Sequence, residues 1–259
     1  MGADAEVFLF DHEAYLRKVV PAFLKFLNGR PFDDWLQPSV ERRELKPWLW
    51  DKSELARYLT ALNPDFSWAA HYDLKDTYSK NWQERWSDLA LSVQRAAPSE
   101  ELVEQVNWLF KIAVSINCIG DSQFVGRSRT VSNYSGLLPN LGVREDDRVV
   151  DLLAALGKRG FLIGYQFGFG FEGINGWLDP TETAELVQRL DTLPLPRYEP
   201  SFEAMHQFRT GEWGDYESPD FSSEALSLSF VRTTAAIAAR EHRGLLWGND
   251  VMPAEHYLS

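Results

Sequence analysis

The chain predicts an α+β fold, mostly helical, with a small mixed or antiparallel sheet and both chain ends as candidate strands. Three observations carry this. Apolar residues recur at helical spacing over most of the 259 residues. Short runs of β-forming residues stand near both ends, EVFLF at 6–10 and LLW at 245–247. No repeat, low-complexity tract or linker interrupts the chain, so 1–259 reads as a single compact domain.

The elements follow in order. EVFLF is apolar on both faces, as a buried strand is. Asp11 caps a helix to about Leu27, with Tyr15, Val19, Phe23 and Leu27 four apart on one face. Pro21 inside that run predicts a kink or break, and Asn28-Gly29 ends it. Residues 31–52 are irregular, pinned by Trp35, Trp48 and Trp50, and Ser53 caps a short helix stopped by Asn63-Pro64. Helical pattern returns over 81–97. After Pro98-Ser99 a central helix spans 100–117, with an apolar stripe of Leu102, Val106, Leu109, Phe110, Ala113 and Val114.

Residues 118–144 read as a polar, Gly- and Ser-containing connection, followed by a helix over 146–158 ended by Gly160. FLIGYQFGFGFEG (161–173) reads as a long strand or hairpin arm. Asp179-Pro180-Thr181-Glu182 is the clearest local signal: Asp at N-cap, Pro at N1 and Glu at N3 start a helix to about Leu193. PLPRYEP is extended, 201–208 a short helix, and the polar loop after it carries Gly211 and Gly214. The last helix spans 223–243, with Phe221 as a hydrophobic staple, Gly244 as the residue after the cap, and a close-packing Ala run at 235–239.

Bulk numbers bound the function. Lys plus Arg number 26 against 38 Asp plus Glu, a net charge of −12. Such a surface repels nucleic acid and anionic membrane and attracts basic partners. Apolar residues make up 44 %, with ten Trp, ample for a packed core. The one cysteine forbids an intrachain disulfide and fits the cytosol. The N-terminus lacks a signal-peptide pattern, and no apolar run is long enough to span a bilayer.

The C-terminal third resembles the YfbM-like family of uncharacterised bacterial proteins. The elements are the helix opening at Asp179-Pro180-Thr181-Glu182, the phrase Arg197-Tyr198-Glu199-Pro200 leading to Glu203-Ala204-Met205, and the Ala-rich helix running into Gly244-Leu245-Leu246. The resemblance covers about a quarter of the chain and implies an α+β fold in a bacterial protein. It brings no functional residue with it.

Five groups are candidate sites, each with a plainer structural alternative. Arg127, Ser128 and Arg129, in DSQFVGRSRTVSNY, offer guanidinium and hydroxyl groups to a carboxylate or phosphate; the alternative is a solvated loop. In YQFGFGFE, Tyr165, Phe167, Phe169 and Phe171 share one face of a strand and Gly168 and Gly170 the other. That suits an aromatic ligand or a tightly packed core strand. Gly168, Gly170 and Gly173 match a dinucleotide spacing, but no helix opens after them. Cys118 with Asp121 is a candidate nucleophile if His71, His206 or His242 comes near; the alternative is a buried, inert thiol. The histidines form no metal-ligating pair, and no cofactor is indicated; His242 suits the last turn of its helix. Lastly, Glu212, Trp213, Asp215 and Tyr216 mix aromatic anchors with charge, as a surface for a basic protein does, or they are ordinary solubilising residues.

The leading expectation is a non-enzymatic, acidic protein-binding module that neutralises or assists a basic partner. The rival is an enzyme or binder of an anionic or aromatic small molecule, with a pocket near the Arg127 loop and the Phe-Gly strand. In that case Arg127 or Arg129 converges with Cys118 or a histidine.

Overall fold

A computed structural model describes residues 4–27, 33–37, 41, 100–127, 134, 136–158, 173–206, 209–210, 215–216 and 220–255. The expected helices at 53–62 and 81–97, the strand at 161–172, and Trp48 and Trp50 lie outside these residues.

β1 (Asp4–Phe10) is the strand EVFLF predicts. Asp11 then caps α1 (His12–Ala14), its Oδ1 accepting from the Ala14 N–H at 2.8 Å. The run continues through a π-helical turn, Tyr15–Val19, into α2 (Val20–Leu27). Of the kink or break expected at Pro21, the break does not occur, since helix continues through it. The turn just ahead of it widens instead: Val20 donates five residues back to the Tyr15 carbonyl, easing the close approach a proline ring makes to the preceding turn.

α3 (Glu100–Cys118) is the expected central helix, and Leu109, Phe110, Ala113 and Val114 are buried. Residues 119–127, expected as part of a connection, form β2 (Ile119–Arg127), paired antiparallel with β1. The polar residues that disguise this strand are used within it. Ser122 Oγ donates to Glu6 Oε2 across the ladder at 2.7 Å, and Gln123 is fully buried. α4 (Leu137–Asn140) and α5 (Arg148–Lys158) follow, and Asp147 Oδ1 accepts from the Val149 N–H.

A second strand the sequence hid is β3 (Gly173–Leu178), whose Asn175 and two glycines lower its β signal. The capping box then forms as expected. Asp179 Oδ1 accepts from the Glu182 N–H at 2.8 Å, and Glu182 Oε2 accepts from the Asp179 N–H at 3.0 Å. It opens α6 (Pro180–Leu190). After the extended PLPRYEP come α7 (Phe202–His206) and a two-stranded ribbon, β4 (Arg209–Thr210) with β5 (Asp215–Tyr216).

α8 (Ser223–Arg240) is capped by Ser222. It is buried almost throughout although it carries hydroxyls, because Ser229 and Thr233 donate to the carbonyls of Ala225 and Ser229, four residues back. Its end corrects one expectation. The left-handed residue after the cap is His242, at φ 55°, and not Gly244. Arg243 N–H donates to Ala238 O and His242 N–H to Ala239 O, a Schellman arrangement. Phe221, expected to staple the helix start, keeps 40 % of its surface exposed.

Gly244 instead begins β6 (Gly244–Asn249), and the described sheet runs β2-β1-β6-β3, every pair antiparallel. Strands near both chain ends therefore meet side by side at its centre. One face (Val7, Leu9, Leu178, Leu245 and Trp247) packs with Leu152, Leu156, Leu186, Leu190 and Phe230 of α5, α6 and α8. The other carries an aromatic cluster. Trp177 lies 6.4 Å from Phe10, 5.2 Å from Tyr15 and 6.2 Å from Phe110 between ring centroids. Trp177 and Trp247 are at most 1 % exposed. At about 200 Å² each, their burial contributes roughly 5 kcal/mol apiece before entropy is counted.

Candidate functional site

The sheet register brings Arg127 and Gly173, the described residues that adjoin two of the expected site segments in sequence, to one end of the sheet. Gly126 pairs with Ala5, Ala5 with Asn249, and Asn249 with Gly173, so these four residues form a row across the four strands. Arg127 and Asp4 face each other in the row beyond. From this pole the chain leaves β2 toward Ser128 and Arg129, and the segment holding Phe167 and Phe169 enters β3. Ser128, Arg129, Phe167 and Phe169 themselves lie outside the described residues. The N-terminal part of α8 sits here too, because Ser227 Oγ donates to Val125 O at 2.8 Å. The ribbon strand β5, with Asp215 and Tyr216, packs against α8. Glu212 and Trp213 lie outside the described residues.

The backbone at the pole is unusual in a way that glycine permits. Gly126 and Gly173 both hold positive φ, 126° and 124°, at opposite edges of the row. Asp250, next after β6, holds φ 49°. Beside Gly126 the β1–β2 register shifts, Ala5 pairing Gly126 and Glu6 pairing Phe124, so β2 carries an extra residue there.

Cys118 is at the other end. It closes α3 immediately before β2, beside Asp11, whose N–H donates to its carbonyl at 2.8 Å. β2 runs from Ile119 to Arg127, so at about 3.3 Å per residue Cys118 and Arg127 stand roughly 25–30 Å apart. The expected convergence of Arg127 with Cys118 does not occur. The thiol is 1 % exposed, and burial pushes its pKa far up. Asp11 adds to the rise, while Lys18 and Arg243 pull the other way. A buried thiol held protonated is a poor nucleophile at neutral pH, which favours the inert reading of Cys118. Asp121 is exposed on β2, and His206 closes α7. His242, expected in the last helical turn, lies just past it.

Several acids of the described residues stand in ion pairs. Between α5 and α6, Arg148 reaches Glu185 at 3.2 Å and Asp151 at 3.9 Å, and Arg189 reaches Asp147 and Glu185, each at 3.8 Å. Glu13 pairs with Arg17, Asp33 with Lys25 and Asp146 with Arg144. These are half-exposed or exposed pairs, worth little singly. They mean that the charge surplus resides elsewhere than in these helices.

Sequence reasoning passed over one group. Arg232 stands in the middle of buried α8, its side chain 5 % exposed, with Nε 3.8 Å from Asp191 Oδ1. Its signal was an arginine inside the apolar run SFVRTTAAIAA, where a surface helix would place none. Among the described residues no three His, Cys, Asp or Glu side chains are grouped as metal ligands would be, and no helix is long and apolar enough to cross a membrane.

No family model, curated protein or solved structure matches the chain.

Proposed function

We propose that the chain is an acidic, non-enzymatic binding module that engages a basic protein partner through the aromatic-acidic stretch at Glu212 to Tyr216, and not through the Arg127–Gly173 pole, within the cytoplasm of a bacterial cell. The observation that carries this reading is the pairing of β4 with β5, Arg209 with Tyr216 and Thr210 with Asp215, on either side of Glu212 and Trp213 in sequence. The aromatic-acidic stretch around Glu212, Trp213, Asp215 and Tyr216 supplies the anchors. Aromatic anchors flanked by charge are how a surface recognises a basic partner. The net charge of −12 steers a cationic partner toward it. A lone, buried, free cysteine suits a reducing compartment. Descent shared with the YfbM-like proteins is part of the same proposal and rests on the C-terminal motifs.

The test is capture of a partner from the native host, followed by titration calorimetry with the purified pair. Affinity is expected to fall at least about tenfold between roughly 50 and 300 mM salt. Trp213→Ala with Asp215→Asn should weaken it further. A partner that binds indifferently to salt, or that ignores the double substitution, overturns the reading.

Arg127, facing Asp4 at the same pole, favours a second reading, in which a small anionic or aromatic molecule binds there. Metabolite screening by thermal shift separates the two: an Arg127-dependent small-molecule response supports the second, and its absence beside salt-sensitive partner binding supports the first.

A further inference from the structure

The geometry points to a seat for a compact oxyanion at Arg232, between the C-terminal end of α6 and the middle of α8, independent of the partner reading above. Three observations meet there. The Arg232 residue is 4 % exposed, and its Nη1 is buried with no hydrogen bond. The carboxylate that accompanies it, Asp191, is itself 53 % exposed and lies 3.8 Å from Nε, beyond hydrogen-bond reach. A second guanidinium, Arg197, closes on the same residue, with Nη2 donating to the Asp191 backbone carbonyl at 2.8 Å.

The charges do not balance around this centre. Burial pushes the Arg232 pKa down, Asp191 draws it back up, and Arg197 lowers it again. A buried guanidinium is retained where something satisfies its rigid fork, because an uncompensated buried cation is costly. Asp191 occupies the Nε side only. The end-on fork, Nη1 with Nη2, is the arrangement that a carboxylate or phosphate accepts from bidentately. Tyr198, stacked on Phe230 at 5.2 Å and 6°, is near enough to Arg232 to interact with it electrostatically, and Arg197 adds the second positive charge that a phosphate would use. Carboxylate and phosphate share this recognition, and separate arms of one experiment tell them apart.

The experiment measures Tm of the full chain against increasing inorganic phosphate or acetate, with chloride holding ionic strength constant. A saturable rise with either anion, absent with chloride, is expected, and the responding arm identifies the geometry. Arg232→Met keeps the volume and removes the charge. It should fold, be at least as stable as wild type without anion, and lose the response. Wild type that responds to neither anion overturns the seat, as does Arg232→Met that responds like wild type. Should Arg232→Met fail to fold, Arg197→Ala decides: a roughly tenfold weaker response supports the seat, and an unchanged one overturns it.

Discussion

Replacing Gly244 by alanine tests the reason for that glycine. A Cβ there would lie 2.3 Å from the Leu178 carbonyl oxygen and 3.2 Å from Phe10 Cδ1, where ordinary contact begins at 3.4 Å. The obstacle is backbone, so no side-chain rotation relieves it; β6 must move about 1 Å away from β3 beside the Leu178–Leu245 pair. Overpacking of this kind costs about 1–3 kcal/mol. The alanine also restricts the unfolded chain, which returns about 0.4–1 kcal/mol. The steric term wins, and Gly244→Ala should lose about 1–2 kcal/mol, or about 3–6 °C in Tm for a chain of this size. Urea denaturation followed by far-UV circular dichroism measures it as a lower midpoint at unchanged slope. Gly136→Ala is the control: nothing lies within 4 Å of its Cβ, and φ −81°, ψ −29° suits any residue. It should stay within about 0.5 kcal/mol of wild type. A Gly244→Ala midpoint at or above wild type would refute the steric argument.

Three further outcomes follow from the same coordinates. His242→Gly should raise stability by about 0.5–1 kcal/mol in the same assay, because His242 holds φ 55° after α8 and glycine adopts that conformation without strain. Asp151 has its pKa raised, by burial first and then by Asp147 and Glu185, with Arg148 opposing. The folded state therefore binds this proton more tightly than the unfolded chain. The resulting stabilisation is present at low pH and lost as pH climbs from the ordinary Asp range through the raised value. Asp151→Asn should flatten that limb of a stability-versus-pH curve; an unaltered limb counts against the assignment. Cys118 should react with a thiol reagent on the timescale of unfolding and not of ordinary free cysteine, since burial leaves little thiolate. Rapid native labelling at pH 7.5 would contradict its placement.

The parts of the fold legible in the sequence were those written locally. Asp11, Asp179 with Glu182, and the Ser222–Ser223 start of α8 hold helix starts through contacts a few residues apart. EVFLF and LLW, apolar on both faces, announced the central pair β1 and β6, which is covered by helices on each side. β2 and β3 were hidden because their polar residues acquire partners only across the fold. Ser122 meets Glu6, and Gln123 and Asn175 sit fully buried. The same blindness affected the site. Read as a connection, residues 118–127 leave Cys118 and Arg127 free to meet; as a strand they hold the two at opposite ends of the sheet. Arg232 went unnoticed because its neighbours are assembled from α6 and the extended segment after it, which no spacing in the sequence brings together.

The pairing of β1 with β6 also constrains how the molecule is made. Of the described strands β1 is synthesised first, and it acquires its central partner only after nearly all the described residues have been made. Until then one edge of EVFLF lacks its ladder, a sticky and aggregation-prone edge during translation. The long loop closed by this last pairing makes final assembly slow for a chain so rich in helix.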